Sequence, residues 1–158
     1  MEPRIDLGKH YGSPLGRAML ALQREVNQSG LDHTLQELVK MRASQINGCA
    51  YCIDMHTKDA RALGETEQRL YALNAWREAP FYSERERAAL EWAEAVTRIS
   101  VDQVPDAVYS SVKPHFTEAE LVALTFALVA INGWNRLAIA FRAPAGSYQS
   151  PHAMARAV

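Results

Sequence analysis

Two cysteines, a histidine and a glutamate, gathered between residues 37 and 56, are the residues whose types and spacing point to chemistry. Cys49 and Cys52 are the only cysteines, in the run Gly48-Cys49-Ala50-Tyr51-Cys52-Ile53-Asp54-Met55-His56, and Glu37 stands twelve residues before the first. Cys49 to Cys52 is i to i+3, and Cys52 to His56 is i to i+4, so on a helix all three side chains share one face. Helical residues three apart lie about 5–6 Å from each other, within the range of a disulfide. A pair at a helix start also meets unpaired N–H groups and the positive end of the dipole, which favour thiolate. Thiolate is the form that attacks peroxides and disulfides. A histidine and a carboxylate in reach would move protons to and from sulfur. The stretch therefore reads as a thiol redox site.

Zinc is the competing reading, because zinc sites also use Cys-x-x-Cys. A closed zinc site normally takes four ligands from two such pairs, and this chain has no second pair. His10, His33, His115 and His152 are scattered without paired spacing. A Cys-Cys-His-Glu set is the zinc site these residues would offer. Two buried cysteines acting as small apolar residues is the bland alternative. It accounts for each cysteine but not for their register with His56.

Glu37, eleven residues, Cys49-Ala50-Tyr51-Cys52, three residues and His56 together resemble the core motif of the alkylhydroperoxidase D-like branch of the carboxymuconolactone decarboxylase superfamily. Leu73-Asn74-Ala75-Trp76-Arg77 and Ile131-Asn132-Gly133-Trp134-Asn135-Arg136 are similar to members of the same branch, and the resemblance runs from roughly Gly16 to Arg142. It implies that Cys52 is the peroxidatic residue that becomes a sulfenic acid. Cys49 would then be the resolving residue and proton donor, and Glu37 and His56 the proton relay. It further implies a hydroperoxide substrate, a dithiol reductant (a lipoyl protein or a thioredoxin-like one), no metal, no cofactor, and a homo-oligomer, trimer or hexamer. The alkylhydroperoxidase itself has a second histidine between the cysteines, where this chain has Tyr51. Tyrosine donates a hydrogen bond but is a poor base at neutral pH.

The elements that must hold these residues all read as helices. Leu15 to Gln28 is expected as the first, stopped at Ser29-Gly30. Asp32 caps a second, to about Ile46, with Leu35, Leu38, Val39 and Ile46 as its apolar stripe and Glu37 beside it. After a break at Asn47-Gly48, a third runs from about Cys49 to Leu63 and ends at Gly64, with Cys49, Cys52, Ile53, His56, Ala60 and Leu63 facing inward. Asp54, Lys58, Asp59 and Arg61 are expected on its solvated side. Thr66 caps a fourth helix to Trp76, and a capping box at Ser83-Glu84-Arg85-Glu86 opens a fifth to Ile99. A short sixth lies between Pro105 and Pro114. Phe116 and a second capping box, Thr117 to Glu120, introduce a long last helix to Phe141, with Leu121 completing a hydrophobic staple. Leu121 to Ile131 is apolar almost all round, which implies cover from a partner subunit on one side. Asn132, Asn135 and Arg136 are read there as interface groups, and Gly133 as a kink or close approach.

The expected fold is all-α, with six or seven helices and the Cys-x-x-Cys opening a helix in a helix hairpin. Residues 1–14 read as an arm, 15–142 as one domain and 143–158 as a flexible tail. A net charge of -1 excludes an electrostatic case for nucleic acid or an anionic membrane. Met1 to Leu15 shows no signal-peptide pattern, and Leu121 to Ile131 is too short to span a bilayer. A cytoplasmic protein is expected, where a cysteine pair is catalytic or metal-binding rather than structural. Three functions compete. The first is a thiol peroxidase cycling through sulfenic acid and disulfide. The second is a cofactor-free decarboxylase or ring-opening enzyme of the same superfamily, whose other branches lack the cysteine pair. The third is a non-enzymatic redox or zinc module.

Overall fold

The computed structural model describes residues 2–154, and among these there are helices and turns but no strand. Met1 of the expected arm and residues 155–158 of the expected tail lie outside the described residues. All seven expected helices form. They are α1 (Pro14–Asn27), α2 (His33–Asn47), α3 (Ala50–Leu63), α4 (Glu67–Ala72), α5 (Glu84–Thr97), α6 (Ile99–Asp102), α7 (Asp106–Val112), α8 (Glu118–Phe141) and α9 (Pro151–Met154). The one-turn α6 and α9 are the additions. The fourth helix is shorter than expected, tightening into a 3-10 turn over Leu73–Ala75 before Trp76. Pro105 stands just before the first turn of α7 rather than in it.

Local chemistry sets the boundaries. Asp32 accepts the Leu35 N–H at 2.8 Å and starts α2. Both capping boxes close reciprocally, at Ser83 with Glu86 and at Thr117 with Glu120. Phe116 and Leu121 are buried in one apolar cluster, as a staple requires.

The connection that matters for the site is two residues long. Gly48 adopts φ 72° and ψ 31°, the left-handed conformation that ends α2, and the Cys49 N–H returns to the Ser44 carbonyl at 3.0 Å. Cys49 is at the same time the N-cap of α3. The chain therefore reverses with no slack, and α3 folds back along α2, its main partner.

α2 is the central helix, packing on α3, α5 and α8. One apolar cluster joins Leu35, Val39, Ala43 and both cysteines to α5 and α8, and a second joins Leu38, Met41 and Ala60 to α4 and α5. α8 is 24 residues long and apolar enough by length and composition to cross a membrane. It packs instead on α1, α2 and α5. Gly133 serves close approach, since a Cβ there would come within 3.2 Å of the Met19 side chain of α1.

The asparagines read as interface groups are used inside the chain. Asn47, on the last turn of α2, donates to the Asn132 and Asn135 side-chain carbonyls at 2.9 and 2.8 Å. Asn135, fully buried, donates to Ser44 Oγ at 3.1 Å, and Asn132 donates to Thr97 at 3.1 Å. This network fastens the α2–α3 corner to α8.

The end segments of the described residues also pack. The Arg4 N–H bonds to the Phe141 carbonyl at 2.9 Å, and Leu7–His10 forms a 3-10 turn. Of the segment expected as a flexible tail, Gly146 and Tyr148 are tied to α3. Lys58 donates to the Gly146 and Tyr148 carbonyls at 3.2 and 3.0 Å, and Asp54 accepts the Gly146 N–H at 3.0 Å. The charges of α3 that were expected to be merely solvated make these bonds.

Gly48→Ala is expected to cost about 1 kcal/mol through left-handed strain, lowering Tm by roughly 3 °C. Asn135→Leu should cost about 2 kcal/mol, because Asn47 and Ser44 lose a buried partner. Calorimetry checks both, and an unchanged Tm in either would show that the corner does not depend on that residue.

Candidate functional site

The N-terminus of α3 places the sulfurs. Cys49 and Cys52 are joined as a disulfide with their Cα atoms 5.3 Å apart, and each is 1% exposed. The Cys52 N–H points at Cys49 Sγ at 3.3 Å. On reduction, that N–H and the helix dipole favour negative charge on the Cys49 sulfur. The two cysteines differ in their surroundings: Cys52 lines a cavity of about 820 Å³, while Cys49 is not part of its wall.

α2 places the acid–base pair. Glu37 and His56, nineteen residues apart on antiparallel helices, are brought together by the tight Gly48–Cys49 turn, with His56 Nδ1 2.6 Å from Glu37 Oε2. Glu37 is buried rather than the exposed glutamate its type alone suggests. Burial by itself pushes its carboxyl up. The hydrogen bond and charge of His56, with the Lys40 ammonium, outweigh burial and hold it at about 2. Glu37 is therefore a carboxylate and can only accept, so the proton in the 2.6 Å contact sits on His56 Nδ1. His56 Nε2 is buried in the cavity wall and has no hydrogen-bond partner among the described residues. With Nδ1 anchored on a carboxylate, Nε2 is the ring nitrogen that the protein does not itself engage.

All four residues singled out in the sequence thus meet at one place. Cys52, His56 and Glu37 line the cavity, and Cys49 lies behind Cys52. Three further residues were missed. Lys40, one turn beyond Glu37, reaches back to Glu37 Oε1 at 3.0 Å and is 5% exposed. Its i+3 spacing from Glu37 was a signal available in the sequence. Asp59 was placed on the solvated side of α3 but is 9% exposed, and accepts the Tyr148 hydroxyl at 2.9 Å. Nothing in the sequence pairs residue 148 with residue 59. Burial first, and then the Asp59 hydrogen bond, push the Tyr148 phenol up, so it stays a donor. Tyr51 is likewise pushed up, by burial first and then by the charges of Tyr11, Asp54 and Asp59. It is not a base in place of the family histidine.

Glu37, His56 and Asp59 offer donor atoms within 4.8 Å of one another. Lys40 and His56 already hold Glu37, and Tyr148 holds Asp59. The Glu37 and Asp59 carboxylates are thus already engaged by the protein's own donors.

The chain is similar to known proteins in sequence and in fold. The profile of the carboxymuconolactone decarboxylase family matches residues 14–95. The uncharacterized protein YdfG of Bacillus subtilis is 49% identical over 124 residues, which is 78% of this chain and 84% of that protein. Among solved structures, a protein of unknown function from Agrobacterium tumefaciens, ATU0492, put forward as an antioxidant defence protein AhpD, superposes with a TM-score of 0.88. It is 42% identical and covers 93% of this chain and 100% of its own. An uncharacterized peroxidase-related protein from Silicibacter sp. TM1040 gives a TM-score of 0.73 at 26% identity, over 83% of this chain and 70% of its own.

The Glu37 carboxyl is held at about 2 in the folded chain against an ordinary value of 4.5. A depressed folded value means that the ionised group adds stability above about pH 4.5 and loses it as pH falls toward about 2. Wild-type stability in denaturant should therefore fall across that window more steeply than that of Glu37→Gln, which has no carboxyl there to protonate. The variant should also be less stable at neutral pH, by about 3 kcal/mol, because Lys40 is left without its counter-charge. Parallel stability–pH curves for the two proteins would show that the pair does not couple to folding.

Proposed function

The chain belongs to the carboxymuconolactone decarboxylase family, and from that premise we propose that it is a thiol-dependent hydroperoxide reductase working through Cys52 and Cys49. One observation carries the proposal. A Cys-x-x-Cys pair able to close a disulfide meets a cavity at Cys52 and not at Cys49, beside a Glu37–His56 pair whose imidazole Nε2 has no partner of its own among the described residues.

The steps follow from this division. His56 Nε2 takes the Cys52 proton, and the thiolate attacks the terminal oxygen of a hydroperoxide. The S–O bond forms as the O–O bond breaks, and the alkoxide leaves as alcohol with a proton from the site. Cys52 is then a sulfenic acid. Cys49, behind it and polarised toward thiolate by the Cys52 N–H, attacks the Cys52 sulfur. The S–S bond forms, the S–O bond breaks and hydroxide leaves as water. An external dithiol, of the lipoyl or thioredoxin type, returns two electrons and two protons by disulfide exchange. The half-exposed stripe Val122, Phe126 and Val129 on α8 supports a homo-oligomeric assembly. A reducing, cytoplasm-like compartment suits the cycle.

Treatment of the reduced protein with a small excess of hydroperoxide is expected to remove two hydrogens per subunit, mapped by peptide mass spectrometry to a Cys49–Cys52 link that dithiol reverses. Cys52→Ser should abolish peroxide consumption, whereas Cys49→Ser should still consume one equivalent and stop at sulfenic acid. Equal residual turnover in the two variants would reverse or remove the assignment of roles. Free thiols after treatment of wild type would sink the peroxidase reading.

A further inference from the structure

Lys40 is a buried ionisable group beside the Glu37–His56 pair to which the peroxidase cycle gives no task. Lys40 sits on α2 with its Nζ 3.0 Å from Glu37 Oε1, while His56 Nδ1 holds Oε2 at 2.6 Å. All three side chains line the cavity that Cys52 faces. Burying a lysine is costly, and a neutral residue would fill the same helix position more cheaply.

The charge of the cluster gives Lys40 a purpose. A buried carboxylate paired with imidazole can settle in two ways. Either the pair stays net negative around a neutral imidazole, or the imidazole takes a second proton and cancels the charge. Without a cation nearby the second state is favoured, because an uncompensated buried charge is expensive. In that state both ring nitrogens carry hydrogen, and Nε2 can no longer accept a proton. Asp59 sharpens the problem, since its carboxylate lies within 4.8 Å of the same pair. A cation on Glu37 answers it by supplying the missing positive charge somewhere other than the imidazole.

We propose that Lys40 is a positioning residue that acts through Glu37. By occupying one carboxylate oxygen while His56 occupies the other, it keeps His56 a neutral imidazole with its proton on Nδ1 and its Nε2 lone pair free toward the cavity. The inference rests on the peroxidase reading only for the use made of that base. The other titratable groups on the cavity are Asp6 and Tyr11 of the arm, His33 of α2, Tyr51 and Asp59 of α3, and Tyr148 and His152 of the C-terminal segment. Asp6, Tyr11, His33 and His152 are exposed, so water screens them. Tyr51 and Tyr148 remain neutral phenols. Asp59 and Lys40 are then the charged groups that bear on the Glu37–His56 pair at close range.

The test is made on the disulfide form, in which neither cysteine titrates. Long-range ¹H–¹⁵N spectra of histidine-labelled protein, with His56 assigned by its loss in His56→Gln, report which ring nitrogens carry hydrogen. Wild type is expected to show a protonated Nδ1 and a lone-pair Nε2 at pH 7.5. In Lys40→Met, Nε2 should take up its proton at a pH higher than in wild type by about one unit or more. Lys40→Arg, which restores the cation, should return to the wild-type pattern. If Lys40→Met does not fold, Lys40→Gln, which keeps a hydrogen bond but no charge, is read in the same way. A merely structural role would disturb the fold without moving the protonation of one ring. The inference is overturned if removing the charge leaves Nε2 titrating as in wild type, or if Lys40→Arg shifts as far as Lys40→Met. No hydroperoxide is used, so a protein that consumes no peroxide would defeat the function proposed above and leave this result standing.

Discussion

A carboxylate buried between two helices is the point on which the site turns. Glu37 reaches from α2 to α3 and binds a cation from its own helix with one oxygen and an imidazole from the next with the other. Desolvating that charge is costly, and the cost is offset only while both partners stay in place. The helices must therefore keep one register. A slide by a turn would leave a carboxylate, an ammonium and an imidazole buried apart. The apolar contacts of α2 with α5 and α8 supply most of the packing, but they would tolerate small shifts that this triad would not.

That register is set by a turn with no spare residues. Gly48 ends α2 in the left-handed conformation and Cys49 begins α3 immediately. The first cysteine is thus the N-cap, and the second lies three residues on, in the wall of the cavity. Two chemically identical side chains acquire different surroundings from their position on one helical turn. The asparagine network from Asn47 to Asn132 and Asn135 then holds the corner against α8.

The cavity is completed from the two ends of the chain. Residues of the arm before Ser13 and of the segment after Ala143 form much of its wall, around Cys52 and His56. Tyr148 bonds to Asp59, and Lys58 and Asp54 hold the backbone near Gly146. The outer face of α3 anchors this cover while its inner face carries the thiols. The rings of Tyr11 and Trp134 meet edge to face 6.0 Å apart, joining the arm to α8 on the other side.

Helix boundaries and the cysteine–histidine register were legible in the chain because they depend on neighbours one turn away. Asp32, Ser83, Thr117, Gly48 and Gly64 act through hydrogen bonds or backbone angles within a few residues, and all act where expected. Cys49, Cys52 and His56 share a face by helical geometry alone. Glu37 was identified through its place in a motif, since its own helix gave no reason for burial. Asp59, Asn132 and Asn135 were misread because polarity along a sequence does not reveal which polar groups find partners inside. The docking of Tyr148 on Asp59 joins residues 89 positions apart, a pairing that no local pattern encodes. Short-range chemistry thus specified the helices and the thiol face. Long-range packing specified which charges were buried, what held them, and which cysteine lined the cavity, because each of these depends on how the assembled helices exclude water.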